Sequence, residues 1–125
     1  MPMLELPVRQ RGQSCEITTP IDQDWVTETA ALLRILADPT RLAIVWCLYQ
    51  AAVPVCICDF TATFDLGQPT VSHHMAKLKA AGLVESDKQG LWTYYHLRDD
   101  LPPTALGLLE TLITGAKRQR PPGSG

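Results

Sequence analysis

The chain lacks the features that mark exported and membrane-inserted proteins. The first eleven residues contain no unbroken apolar stretch of the kind found in a secretory signal. The most apolar run, residues 42–55, is interrupted by Gln50 and Pro54 and is too short to span a bilayer. The formal net charge of the 125 residues is −2 at pH 7, so no overall basic excess points to nucleic acid. These absences predict a cytoplasmic protein with no membrane partner.

The common catalytic patterns are also missing. The sequence has no internal repeat, no glycine-rich phosphate-binding loop and no spacing typical of a Ser-His-Asp triad. A small thiol oxidoreductase would need a Cys-x-x-Cys motif in a βαβ setting, and the sequence has neither. The sequence therefore predicts a protein that is not an enzyme.

Four cysteines remain to be explained. Without an export signal, structural disulfides are not expected, so metal binding or redox chemistry is the first hypothesis. Cys47 lies in a strongly apolar run and is predicted to be a core residue, because a buried free thiol behaves as a small hydrophobe. Cys15, Cys56 and Cys58 are then the thiols expected to be accessible.

One helix with both ends marked is predicted for QPTVSHHMAKLKAAGL, residues 68–83. Pro69 suits a first helical turn, Gly82 suits a left-handed C-terminal cap, and Val71, Met75 and Leu78 form one apolar stripe. Polar and basic side chains lie off this stripe, as in a helix whose N-terminal end enters a DNA major groove. An ordinary amphipathic surface helix is the alternative. The predicted DNA-contacting residues of this helix are Gln68, Thr70, Ser72, His73 and Lys77.

The surrounding pattern predicts a winged helix-turn-helix that is mainly α with a β-hairpin wing. Two helices are expected first, one capped by Asp24 and ending near Ala37, the other capped by Asp38 and running to about Gln50. The string VCICDFTATFDLG predicts a short helix ended by Gly67, and period-two patterning with a turn at residues 87–90 predicts a hairpin. Lys88 near that turn is predicted to contact a DNA phosphate, or else is a solvated lysine on a packing hairpin. A last helix is expected over residues 104–116.

These elements divide the chain into a flexible N-terminal arm (1–23), a DNA-binding and dimerisation domain (24–116) and a disordered tail (117–125). Residues 66–98 carry four cations against two carboxylates, so the predicted DNA-reading region is locally basic. The first and last helices are too apolar for one core, which predicts a homodimer. The core stripes expected on the second and last helices comprise Leu42, Val45, Trp46 and Tyr49, and Ala105, Leu108, Leu109 and Leu112.

The strings LADPTRLAIVWCL, VCICDF, QPTVSHHMAKLKAAGLV and GLWTYYHL closely resemble the ArsR/SmtB family of metal-sensing winged-helix repressors over about residues 25–112. The likeness is greatest to the arsenic- and antimony-responsive members. It implies a homodimer that binds palindromic operator DNA and leaves it when metal binds. It also implies that Cys56 and Cys58 are metal ligands, since they match a Cys-Val-Cys pair, with Cys15 as a ligand from the arm. The histidine-containing site of the zinc-type members is absent from residues 97–117.

Thiol chemistry limits the choice of ion without settling it. Soft thiolates select thiophilic ions, and three of them satisfy As(III) or Sb(III), which keep a lone pair. A Cd(II), Pb(II) or Zn(II) sensor, a thiol-redox sensor and a structural zinc module are the alternatives. If Cys56 and Cys58 both lie on a regular helix, they point about 200° apart, so ion binding is expected to unwind that turn. A helix N-terminus is also expected to lower the pKa of both thiols.

Overall fold

The computed structural model describes residues 5–6, 8, 10–12 and 17–119, with side chains up to residue 115. The predicted class is confirmed, because this part is mainly helical with a small antiparallel sheet. Among the described helices, none is long and apolar enough to cross a membrane. The elements are α1 (Gln23–Leu36), α2 (Pro39–Gln50), β1 (Val55–Cys56), α3 (Ile57–Phe64), α4 (Gln68–Ala80), β2 (Val84–Gln89), β3 (Trp92–Leu97) and α5 (Pro103–Gln119).

Side-chain caps set the starts of the first two helices. Asp38 caps α2 as predicted, accepting a hydrogen bond from the backbone N–H of Arg41 at 2.9 Å, and Pro39 follows as the first helical residue. The predicted cap of α1 is wrong. Asp22 caps this helix by accepting from Trp25 N at 3.0 Å, and Asp24 lies inside the first turn, where its charge favours the helix dipole.

The helix-turn-helix consists of α3 and α4, but α3 is shorter than predicted. It ends at Phe64 because Asp65 takes a left-handed conformation at φ 52°. Gly67, expected to end α3, instead begins α4 as its N-terminal cap residue. The predicted α4 is confirmed, and Gly82 follows it at φ 77°, which suits a residue without a side chain.

A three-stranded antiparallel sheet in the order β1-β3-β2 forms the wing and its root. β2 extends to Gln89, so Lys88 is paired with Thr93 within the ladder and does not lie in the turn as predicted. Sequence reasoning missed β1, whose two residues pair with Tyr95 and Tyr94 of β3. A two-residue strand has no pattern of its own, since its pairing depends on a partner far along the chain.

The core lies between the helices and the inner face of the sheet, and its helical faces were only partly predicted. Val71, Met75 and Leu78 of α4 are buried as expected. The predicted stripe of α2 is only partly right, since Val45 is buried but Leu42 and Trp46 are exposed. On α5, Leu112 is 48% exposed. The residues that α2 and α5 bury instead include Ile44, Leu48 and Ile113.

The outer surfaces of α1 and α5 expose large apolar side chains, among them Trp25, Leu33 and Leu112. α5 continues to Gln119, so the predicted boundary of a disordered tail at residue 117 is wrong. Ten of the 23 residues of the predicted arm, Cys15 among them, lie outside the described residues, and α1 begins at the last residue of the arm, Gln23.

Leu78→Ala is expected to destabilise the protein by about 2–5 kcal/mol, because it opens a cavity beneath α4 where the side chain is 0% exposed. Urea unfolding at one fixed protein concentration measures the loss. Leu91→Ala is the matched control, since Leu91 is 93% exposed and its truncation should change the free energy of unfolding by less than about 0.5 kcal/mol. Equal losses in both variants would contradict the assigned core.

Stability should also depend on the charge of Asp38. The hydrogen bond from the Arg41 backbone N–H, aided by the nearby Arg41 charge, lowers the pKa of Asp38 below its ordinary value of 3.8. A lowered folded-state pKa contributes stability above pH 3.8, and this contribution is lost as the pH falls through the folded-state pKa. Asp38→Asn keeps a capping oxygen but cannot titrate. The free energy of unfolding of the wild type should therefore approach that of Asp38→Asn as the pH is lowered, as measured by urea unfolding at a series of acid pH values. A difference that does not change with pH would contradict a stabilising role for the Asp38 charge.

Candidate functional site

Cys56 and Cys58 lie where β1 becomes α3, and their sulfurs are in contact. Cys56 is the cap residue of α3 with an extended backbone (φ −69°, ψ 144°), while Cys58 lies in the first helical turn. The Cys58 thiol donates to Cys56 Sγ at 2.8 Å. The predicted divergence of about 200° is therefore wrong, because only one of the two residues is helical. The pair can face one ion without first unwinding α3.

The two thiols differ in exposure and in proton affinity. Cys56 is 7% exposed, whereas Cys58 is open to solvent. The hydrogen bond to Cys56 raises the pKa of Cys58 above its ordinary value, with further contributions from burial and the nearby Asp59 charge. The predicted lowering of the Cys58 pKa is wrong, because the thiol loses this hydrogen bond as a donor when it ionises. An ion that binds here must therefore displace the proton of the Cys58 thiol and break its hydrogen bond to Cys56.

These sulfurs fit a thiophilic ion as two of its ligands, and the described residues do not supply a complete set. No group of three Cys, His, Asp or Glu side chains that could hold a metal ion occurs among them. Cys47 is half-buried and packs against the core, and burial raises the pKa of its thiol. The predicted third ligand, Cys15, lies outside the described residues.

The predicted DNA-contacting residues lie on the part of α4 that faces away from the core. Four of them are exposed, and Ser72 is half-buried. His73 lies near the middle of this face, because it is roughly opposite the stripe of Val71, Met75 and Leu78 on the ~3.6-residue period. The exposed members are Gln68, Thr70, His73 and Lys77.

The wing is joined to α4 near the end of the helix. Lys79 Nζ donates to Ser86 Oγ of β2 at 2.9 Å, and both Leu83, which precedes β2, and Val84, which begins it, are buried. Lys88 is exposed further along β2. The exposed face of α4 and the wing lysine therefore belong to one connected unit.

A polar network around Arg41 ties α4 to the corner between α1 and α2. Arg41 Nε donates to the carbonyl oxygen of Ile35 at 2.7 Å, and its Nη1 lies 3.4 Å from His74 Nδ1. A guanidinium can only donate, so His74 accepts through Nδ1 and carries its proton on Nε2. His74 Nδ1 also lies 3.9 Å from Asp38 Oδ2. The sequence pattern of α4 did not reveal this role of His74, because the role depends on Arg41, which lies 33 positions earlier in the chain.

Comparison with known proteins places the chain among bacterial regulators. The sequence model of the bacterial regulatory protein arsR family matches residues 38–86, which include the thiol pair and all of α4. The arsenical resistance operon repressor of Escherichia coli (strain K12) is 39% identical over 79 residues, covering 63% of this chain and 67% of that protein. The cadmium resistance transcriptional regulatory protein CadC of Listeria innocua is 34% identical over 100 residues, covering 70% and 82%.

A solved structure gives the same answer for the fold. The crystal structure of the transcriptional repressor BigR from Xylella fastidiosa has a TM-score of 0.60 and 25% identity, covering 79% of this chain and 95% of that chain. The winged-helix architecture, the family match over α2–α4 and the similar proteins all indicate the same family of regulators. The chain therefore belongs to the arsR family of bacterial regulatory proteins and is a winged-helix transcriptional regulator, not an enzyme.

Proposed function

We propose that the protein is a repressor that binds operator DNA as a homodimer and is released when As(III) or Sb(III) binds its cysteine thiolates. The observation that carries this proposal is the contact between Cys56 and Cys58 sulfurs, 2.8 Å apart at the start of the helix-turn-helix. The similarity to an arsenical resistance repressor adds support.

DNA recognition is assigned to α4 and the wing. The exposed side chains of α4 supply hydrogen-bond donors and acceptors for base edges at its N-terminal end and a cation at Lys77. Lys88 contributes a phosphate contact from the wing. Since the net charge of the chain is −2, binding rests on these local cations, and the salt dependence should reflect few phosphate contacts.

Dimerisation is assigned to the exposed apolar sides of α1 and α5. Four large apolar side chains are 41–60% exposed in the single chain: Trp25 and Leu33 on α1, and Leu106 and Leu112 on α5. Burying such side chains against a second copy removes apolar surface from water. A two-fold dimer would present two α4 helices to the half-sites of a palindromic operator.

The effector is assigned from ligand number. As(III) and Sb(III) are satisfied by three thiolates, and Cys56, Cys58 and Cys15 supply that number. In the bound state the ion would hold these thiolates together, while the chain must give up the Cys58 proton and the hydrogen bond to Cys56. The alternative is a Cd(II)-, Pb(II)- or Zn(II)-responsive repressor, favoured by the similarity to a cadmium resistance regulator, in which a further ligand completes the site. The sulfur contact equally permits a thiol-redox-responsive repressor.

Lys77→Ala is expected to weaken operator binding and to reduce the slope of log K against log salt by about 1 for each DNA phosphate that the variant no longer neutralises. His73→Ala should instead reduce discrimination between operator and unrelated DNA. Fluorescence anisotropy over a salt series measures both. Arg34→Ala on α1 is the matched control, because it removes the same charge from another surface. An equal weakening in Arg34→Ala would contradict the assigned interface.

Arsenite or antimonite should release labelled operator DNA from the reduced wild-type protein. Cys56→Ser and Cys58→Ser should bind DNA but fail to release it, because each lacks one of the two paired sulfurs. Cys15→Ser should need a higher arsenite concentration for release. Cys47→Ala serves as the control, since it removes a thiol that packs against the core and should leave release intact.

Each outcome of this titration assigns the effector. Release by cadmium, lead or zinc alone would move the protein to the divalent-metal alternative, and release by oxidant alone would favour the redox alternative. Unchanged release in Cys15→Ser would remove the arm cysteine from the ligand set. A reduced protein that binds no operator would contradict the repressor proposal.

A further inference from the structure

The thiol site shares a residue with the sheet that forms the wing. Cys56 is both the cap residue of α3 and one of the two residues of β1. Its backbone is in register with Tyr94 of β3, and Tyr94 is in register with Asp87 of β2. Neighbouring strands lie about 4.8 Å apart, so Cys56 and Asp87, the residue before Lys88, are separated by two strand spacings, or about 10 Å in total.

We propose that the wing is the element through which the thiol site controls DNA binding, because occupation of the site weakens the pairing of β1 with β3. This inference rests on the proposed function and assigns its route. The competing route runs through the helix-turn-helix, in which unwinding of the first turn of α3 strains α4 directly.

The two connections of the thiol site differ in strength. α3 is held by the buried side chains of Ile57 and Phe60, and Phe60 stacks on Phe64 with ring centroids 5.9 Å apart. β1 is held at the sheet edge by two register pairs, whereas β2 and β3 share six. The junction of β1 with β3 is therefore the weaker of the two attachments, and a disturbance at Cys56 should be taken up there first.

Burial explains why ligand binding disturbs Cys56 in particular. Cys58 is already exposed and can meet an ion from solvent, but Cys56 is 7% exposed. For both sulfurs to be thiolate ligands, the hydrogen bond that holds them 2.8 Å apart must break, and the buried Cys56 side chain must shift to make room for the ion. Its backbone is committed to β1 and to the start of α3 at once, so this movement is opposed by the pairing with Tyr94. The free energy of ligand binding is thereby coupled to the position of β3.

Hydrogen–deuterium exchange provides the direct test. With arsenite bound to the DNA-free wild-type protein, peptides covering residues 55–56 and 92–97 should exchange faster, and those covering residues 71–78 should not change. Cys58→Ser with arsenite should show no change in either region. An increase confined to residues 57–80 would overturn the wing route. Absence of arsenite binding, measured by thiolate absorbance, would instead count against the proposed function.

A thermodynamic cycle tests the same route through DNA binding. Arsenite raises the operator Kd of the wild type by some factor, which is the coupling between the two ligands. In Lys88→Ala the increase in operator Kd caused by arsenite should be smaller by about threefold or more. This variant has already lost the DNA contact of the wing lysine, so arsenite has no such contact left to break. In the matched Lys77→Ala variant the factor should equal that of the wild type. Any other pattern between the two variants overturns the proposal, whereas a wild-type factor of one contradicts the proposed function alone.

Discussion

The burial of one face of α4 is the constraint on which the rest of the structure depends. Val71 and Leu78 are wholly buried and Met75 is nearly so, which fixes the rotation of the helix about its axis. Because side chains on a helix keep a constant angular spacing, this burial alone directs His73 and Lys77 outward. A change in core packing would therefore reorient the proposed DNA-contacting side chains without altering any of them.

Two polar attachments complete the placement of α4, one near its middle and one near its C-terminal end. Arg41 contacts both His74 and the Ile35 carbonyl, so it holds α4 against the corner between α1 and α2. Lys79 joins it to Ser86 of the wing. The contact with the corner is part-buried, whereas the contact with the wing is exposed to solvent. The attachment of α4 to the corner is therefore the stronger one, and its attachment to the wing is more easily broken.

The sequence predicted those parts of the structure that local pattern determines. The caps and stripe of α4, the start of α2 and the hairpin follow from residues close together in the chain. The buried face of α2 could not be found this way, because the helix is nearly all apolar and gives no periodicity to choose between Ile44 and Trp46. On α5, apolar Leu112 and Ile113 are adjacent, and only the tertiary packing decides which is buried.

The thiol site shows most clearly why sequence reasoning stops where pairing begins. The resemblance selected Cys56 and Cys58 together, and their sulfurs are in contact, but the angle between the two side chains was derived from an assumed helix. β1 changes this result. Pairing with Tyr94 holds Cys56 in an extended conformation, so the helix begins only at Ile57 and includes Cys58 but not Cys56. The sulfurs consequently meet at a boundary between two kinds of secondary structure. A residue at such a boundary is held by both elements, so anything that displaces it must weaken at least one of them, and here the shorter element, β1, offers the smaller resistance.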